Sequence, residues 1–178
     1  AAVEIEQGAL DLERYVKASS IHRVFGAVEQ IQVPLAQARE KLGIPGMRTE
    51  TALNFRDKHR MKSLLEKAGV PCARHRTASS TEEIWKAAEA LGFPLVVKPP
   101  AGAGAASTFR VNDAEELQKR LPSVTVGPND LVLIEELVSG NEHSFETISL
   151  DGRHVWHSLT HYYPTPLEVL RNPWIQWS

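Results

Sequence analysis

An aliphatic run that ends in lysine passes straight into small residues in Leu95-Val96-Val97-Lys98-Pro99-Pro100-Ala101-Gly102-Ala103-Gly104-Ala105-Ala106-Ser107-Thr108. A cation at a strand end, followed by backbone bare enough to approach closely, suits a polyphosphate, which needs a charge partner and several N–H donors. The order of the parts separates this loop from three familiar ones. A Walker loop carries its lysine after the glycines and leads into a helix. Gly102-x-Gly104 begins like a dinucleotide fingerprint, but Ser107 stands where the third glycine belongs, and Thr108-Phe109-Arg110-Val111 has strand character. A protein-kinase glycine loop precedes its strand lysine, and no later kinase signature follows here.

Further candidates flank this loop. Lys58, in Phe55-Arg56-Asp57-Lys58, offers a second cation from the start of a helix. Downstream, Leu133-Ile134-Glu135-Glu136-Leu137-Val138-Ser139-Gly140-Asn141-Glu142 places two carboxylates at a strand end and a third seven residues after the first. Two lysines from different elements would fix the direction of a triphosphate, each contact being a charge-assisted hydrogen bond worth about 1.5–3 kcal/mol when partly shielded. The plainer alternatives stand beside this. Lys98 could snorkel to solvent from a strand end, Lys58 could be solvated surface beside Asp57 and His59, and Gly102 and Gly104 could serve only a mobile hairpin. Glu135 and Glu136 could be a strand-end pair with one carboxylate in water, with Glu142 a turn residue. His143, His154, His157 and His161 invite a metal reading, but four-residue spacing joins histidines on a helix and not along a strand, so they are assigned to surface or substrate contacts.

These residues need elements to hold them. Pro34 to Leu42 is expected to be helical with Gly43 as its stop, after a short strand Arg23-Val24-Phe25-Gly26. Asn54 to Ala68 reads as one helix capped by Asn54, with Phe55, Met61, Leu64 and Leu65 as its apolar face and Gly69 as its end. Ser80-Thr81-Glu82-Glu83 is a capping box for a helix that closes at Gly92, with Trp85 facing the core, and Asn112-Asp113 starts another that runs to about Leu121. Leu131 to Glu135 reads as a buried strand, and His143 to Leu150 with Arg153 to Thr160 as a hairpin turned by Asp151-Gly152.

Composition bounds the answer. With 178 residues, 42% hydrophobic and 24% charged, the chain is large enough for one core or two small ones. A formal charge of −2 without a basic stretch argues against nucleic acid, and short aliphatic runs argue against a membrane span. The single cysteine, Cys72, rules out an internal disulfide or a zinc site built on cysteines, is expected to be a small buried residue, and fits a reducing cytoplasm.

Taken in order, the helix-start lysine, strand lysine, glycine-rich loop and Glu-Glu-aliphatic hinge resemble the ATP-grasp superfamily over roughly Asn54 to Thr160. The resemblance implies an α+β ATP-grasp nucleotide-binding fold, partial here, preceded by the remnant of a Rossmann-like α/β pre-grasp domain. Residues 1–50 would be that remnant, 51–134 a small subdomain with its lid loop, and 135–178 the start of a second subdomain. It further implies that Lys58 and Lys98 hold ATP phosphates under a cover of Gly102, Gly104 and Ser107. Glu135 would accept from the adenine amino group, the Glu136 carbonyl and Val138 amide would face the adenine edge, and Glu142 would hold the ribose. The nearest flavour is that of carboxylate–amine or carboxylate–thiol ligases and biotin-carboxylase-like proteins, which form an acylphosphate with ATP. Magnesium ligands, typically a glutamate and then Glu-x-Asn, are expected outside this chain, because no such motif follows Glu142. No catalytic residue or metal ligand is therefore assigned, and the chain alone is expected to be inactive. The implied partners are a small-molecule carboxylate and a nucleophile, with a homo-oligomer an option. A non-catalytic nucleotide-binding or assembly module and an ATP-grasp phosphotransferase remain alternative readings.

Overall fold

Side-chain caps set the N-termini of four of the six α-helices detailed below in the computed structural model, which describes residues 7, 8, 11, 20–101, 108–172 and 174. Helix α1 (Gln32–Leu42) ends as expected at Gly43, whose φ of 66° lies in the left-handed region that glycine enters without strain. The strand expected just before it is absent. Residues 23–26 have no ladder partner, and the Val24 carbonyl is held instead by the buried Arg39 side chain, from Nε at 2.9 Å and Nη2 at 2.6 Å.

The single helix expected over Asn54–Ala68 is two helices, α2 (Thr49–Arg56) and α3 (Lys58–Lys67). Asp57 breaks them apart. Its backbone is extended, and its carboxylate accepts from the N–H groups of His59 at 2.8 Å and Arg60 at 3.0 Å. A short acid competing for backbone donors favours a new helix start over an uninterrupted one. Asn54 accordingly lies inside α2, and Phe55, expected on a core face, is 71% exposed.

Strand β1 (His75–Ala78) leads into α4 (Thr81–Leu91). Its capping box starts at Ser80 as expected: Ser80 Oγ accepts from the Glu83 N–H, while the Glu83 carboxylate reaches back one residue further, to Ser79 N–H and Oγ–H. Then come β2 (Leu95–Lys98), β3 (Phe109–Val111), α5 (Ala114–Arg120, capped by Asp113) and β4 (Val132–Glu136). The hairpin β5 (His143–Leu150) and β6 (Arg153–His161) follows, and then α6 (Pro166–Arg171). As expected, Asp151 and Gly152 turn the hairpin with positive φ at both positions.

The first four strands form an antiparallel sheet in the order β1-β4-β2-β3, so β4 is inserted between β1 and β2. Because paired residues share a face and successive residues alternate, the two faces follow from the register. One face carries Ala78, Leu95, Val97, Val111, Val132 and Ile134. It packs on Ile84, Ala87, Ala88 and Leu91 of α4 and Leu117 of α5, with Trp85 against this core. Each fully buried aliphatic side chain there contributes about 1.5–3 kcal/mol. The opposite face carries His75, Val96, Lys98, Arg110 and Glu135, and α3 lies across it.

Candidate functional site

Helix α3 presents a polar stripe to that second face. Lys58, Lys62 and Glu66 stand four residues apart, on one side of a helix. Lys62 Nζ lies 3.3 Å from Glu135 Oε1, and Glu66 Oε1 lies 3.4 Å from His75 Nδ1. At the other end of the stripe, the Lys58 N–H donates to the Pro100 carbonyl at 2.9 Å. This bond ties the start of α3 to the segment that leads from β2 into the small-residue loop. The helix therefore spans the whole polar face, from loop to sheet edge.

Glu135 is the centre of this arrangement. It is 6% exposed, with Oε2 2.6 Å from Lys98 Nζ and Oε1 toward Lys62, where the alignment does not amount to a hydrogen bond. The register explains the meeting: Val96 is opposite Glu135, so Lys98, two residues along the same face, sits diagonally across. Desolvation holds the Lys58 ammonium below the usual lysine range. Glu29 opposes that shift, Lys98 and Arg56 add to it, and Glu135 weakly opposes it. Lys62 and Lys98 thus flank one buried carboxylate, with Lys58 at the loop end of the helix that crosses the same face.

The other expected site residues fall as follows. Glu136 closes β4 and turns its carboxylate away from Lys98, onto the Arg74 N–H at 2.8 Å and the Arg74 side chain at 2.6 Å. Those bonds, the backbone one first, hold its pKa below the ordinary carboxylate value. Leu137 N–H is tied to the Pro94 carbonyl, after which the chain leaves the sheet at Val138, 68% exposed. Glu142 is exposed at the start of the hairpin, and its carbonyl accepts from the Tyr162 N–H. Gly102, Gly104 and Ser107 lie outside the described residues.

Cys72 is only half-buried, because the turn after α3 leaves its sulfur beside the exposed Glu66. In the hairpin, His143 stacks on His161, and His154 Nε2 lies 3.1 Å from His157 Nδ1. The latter pair shares a face because a β-bulge shifts the pairing between Ile148 and Ser149, interrupting the alternation that spacing alone predicts. Lys62 was not anticipated, although its four-residue spacing from Lys58 was a usable signal. A cavity of about 210 Å³ beside Val97, Lys98, Pro99, Phe109, Val124 and Leu131 lies at the end of β2 and shares Lys98, but not Lys62 or Glu135, with this cluster. Among the described residues, no helix is long and apolar enough to cross a membrane.

Comparison with known proteins gives concordant results. Residues 56–162 match the family described as phosphoribosylglycinamide synthetase, ATP-grasp (A) domain. The L-arginine-specific L-amino acid ligase of Bacillus subtilis is 33% identical over 130 residues, covering 70% of this chain and 31% of that protein. The crystal structure of the L-amino acid ligase from Bacillus licheniformis superposes with a TM-score of 0.72 at 27% identity, covering 88% of this chain and 36% of the other. The D-alanine–D-alanine ligase from Bacillus anthracis, complexed with ATP, gives a TM-score of 0.64 at 25% identity, covering 88% of this chain and 53% of the other. The chain thus spans about a third to a half of the length of these relatives.

Proposed function

The chain belongs to the ATP-grasp family of phosphoribosylglycinamide synthetase A domains, and on that premise we propose that it is the ATP-binding region of an ATP-dependent ligase. The reaction is activation of a carboxylate as an acylphosphate, which an amine or other nucleophile then attacks. The observation that carries the reading is Lys98, at the end of β2, paired at 2.6 Å with the buried Glu135 on the polar sheet face that α3 crosses, while the Lys58 N–H at the start of α3 is tied to the Pro100 carbonyl just beyond Lys98.

In this reading Lys58 and Lys98 hold the phosphates beneath Gly102, Gly104 and Ser107. Charge stabilisation and positioning are the protein's main contribution to such a transfer. Glu135 Oε1, buried without a hydrogen bond, retains acceptor capacity for the adenine amino group, while Oε2 keeps Lys98 on the face. The Glu136 carbonyl and Val138 amide take the adenine edge, with the Glu136 carboxylate kept out of the way by Arg74. Glu142 takes the ribose hydroxyls. Magnesium accompanies the nucleotide, held by ligands outside residues 1–178, where the sequence has no Glu-x-Asn after Glu142. The exposed apolar residues of β5 and β6, including Phe145 and Leu159, support residues 135–178 as the start of a second subdomain after a small one at 51–134. Residues 1–50 remain assigned to a pre-grasp segment on sequence grounds, and the cytoplasm is the compartment that composition favours.

Calorimetric titration with ADP and a slowly hydrolysed ATP analogue tests the site. Saturable binding, weakened about tenfold or more by both Lys98→Ala and Glu142→Ala, is expected. Absence of binding by a folded full-length protein would defeat the proposal. Trapping an acylphosphate with hydroxylamine in the full-length protein then tests the ligase chemistry: hydroxamate is expected with the cognate carboxylate, whereas stable phosphoryl transfer without it would favour a phosphotransferase.

A further inference from the structure

At the far end of the polar stripe, away from Lys58 and Lys98, three different ligand types meet. Glu66 near the end of α3, Cys72 in the connection and His75 at the start of β1 each offer one donor atom, and the three atoms lie within 4.8 Å of one another. His75 is 5% exposed, yet its Nδ1 makes no hydrogen bond. An imidazole nitrogen buried without a partner is the uncommon observation here, since buried polar atoms are nearly always satisfied. The atom faces Glu66 Oε1 at 3.4 Å, and Glu66 Oε1 is 4.0 Å from Cys72 Sγ.

We infer that Glu66, Cys72 and His75 form a binding site for a borderline-soft divalent cation of the zinc type, through one oxygen, one sulfur and one nitrogen. With metal–nitrogen and metal–oxygen bonds of about 2.0 Å and a metal–sulfur bond of about 2.3 Å, tetrahedral donors stand about 3.3–3.5 Å apart. The nitrogen–oxygen pair is already at that separation, and the sulfur, 4.0 Å from that oxygen and within 4.8 Å of both donors, needs to approach by about 0.5–1.3 Å. Cys72 is half-buried and Glu66 has a 53% exposed side chain, so the ion has an open approach and a fourth position for water. Neutral His75 donates its Nδ1 lone pair, and the Cys72 thiol loses its proton to solvent on binding. The ion then clasps the end of α3 to the start of β1 across the turn at Gly69–Pro71. A zinc reading that looks for several cysteines overlooks a mixed set of this kind.

The competing account is a weak His75–Glu66 pair beside a thiol that donates to the Lys62 carbonyl at 3.9 Å or to Glu66 Oε1 at 4.0 Å. Cobalt(II) titration of the 178-residue chain separates the two, because thiolate coordination produces a near-ultraviolet charge-transfer band and tetrahedral geometry intensifies the visible bands. Both are expected at one equivalent, and zinc should displace them. Cys72→Ser should abolish the charge-transfer band, and Glu66→Gln, at a side chain 53% exposed, should weaken cobalt affinity about tenfold or more. A titration without a thiolate band would overturn the inference. So would a spectrum unchanged by Cys72→Ser, or binding lost only with His154→Ala and His157→Ala in the hairpin.

Discussion

Lys98 Nζ and Glu135 Oε2 are 2.6 Å apart across neighbouring strands, joining the candidate phosphate cation to the candidate adenine carboxylate. Their side chains are 19% and 7% exposed, so the pair is shielded but not sealed. In the proposed site an ATP phosphate competes with Glu135 for Lys98, while Lys62 remains to hold the carboxylate. The site is therefore pre-charged, and ligand binding exchanges ion-pair partners without having to bring an unpaired ammonium into a dry sheet face.

Removing the carboxylate exposes this dependence. Glu135→Gln leaves Lys98 and Lys62 on a shielded face with their common counter-charge gone. A fully buried pair broken in this way costs about 3–5 kcal/mol, and the partial exposure of Lys98 lowers the expectation to about 2–3 kcal/mol. Urea denaturation measures it. Combining Glu135→Gln with Lys98→Met should cost less than the sum of the single changes, and strict additivity would show that the pair is not coupled.

Lys62 should behave as a positioning residue for the same centre. Lys62→Met preserves the length of the buried stem but removes the charge that faces Glu135 Oε1. The expected result is a loss of about 1–2 kcal/mol of stability together with a weaker affinity for the ATP analogue, and the affinity effect should disappear in a Glu135→Gln background. If the affinity effect persists there, Lys62 reaches the nucleotide without Glu135.

These two residues show what could be read from sequence. Lys98 and Glu135 were each visible, one through its glycine-rich sequel and the other through the Glu-Glu hinge, but their contact depends on β4 inserting between β1 and β2, a non-local pairing with no local signature. Lys62 was hidden by expectation: a search for an apolar face found Met61, Leu64 and Leu65, whereas the sheet face covered by α3 is itself polar. Asp57 shows the reverse difficulty. It was seen as a residue of the first turn under an Asn54 cap, when its competition for the N–H groups of His59 and Arg60 makes it the cap of a second helix. Capped or glycine-terminated ends such as Gly43, Ser80, Gly92 and Asp113 were legible because their chemistry is local.

Acid should destabilise the fold through hydrogen-bonded glutamates. Glu40 is held below its ordinary value of 4.5 by the Thr49 side chain and N–H, and Glu83, Glu116 and Glu136 first by the backbone N–H groups of Ser79, Asn112 and Arg74. A carboxylate with a lowered folded-state pKa contributes stability above its unfolded pKa and loses it as pH falls through the folded one. The unfolded chain takes up these protons first, so the urea midpoint should begin to drop near pH 4.5 and continue downward. Glu83→Gln and Glu116→Gln together should flatten that slope; a midpoint rising with acid would reverse the sign of the argument.

The hinge can be tested by separating side chain from backbone. In the proposed site Glu136 works through its carbonyl, and its carboxylate is engaged with Arg74 through bonds of 2.8 and 2.6 Å on the outer side of the strand. Glu136→Gln retains the carbonyl and much of the hydrogen bonding, so affinity for the ATP analogue should stay within about threefold of the parent. Stability should change little, because the Arg74 side chain is 60% exposed. Glu142→Ala should instead lower affinity about tenfold or more with little change in stability, since Glu142 is exposed and is assigned to the ribose hydroxyls through its side chain. Titration calorimetry beside urea denaturation reads both quantities from the same variants. The opposite ranking, with Glu136→Gln abolishing binding and Glu142→Ala harmless, would mean that the adenine and ribose assignments are exchanged between side chain and backbone, and the hinge would have to be rebuilt from Glu136 outward.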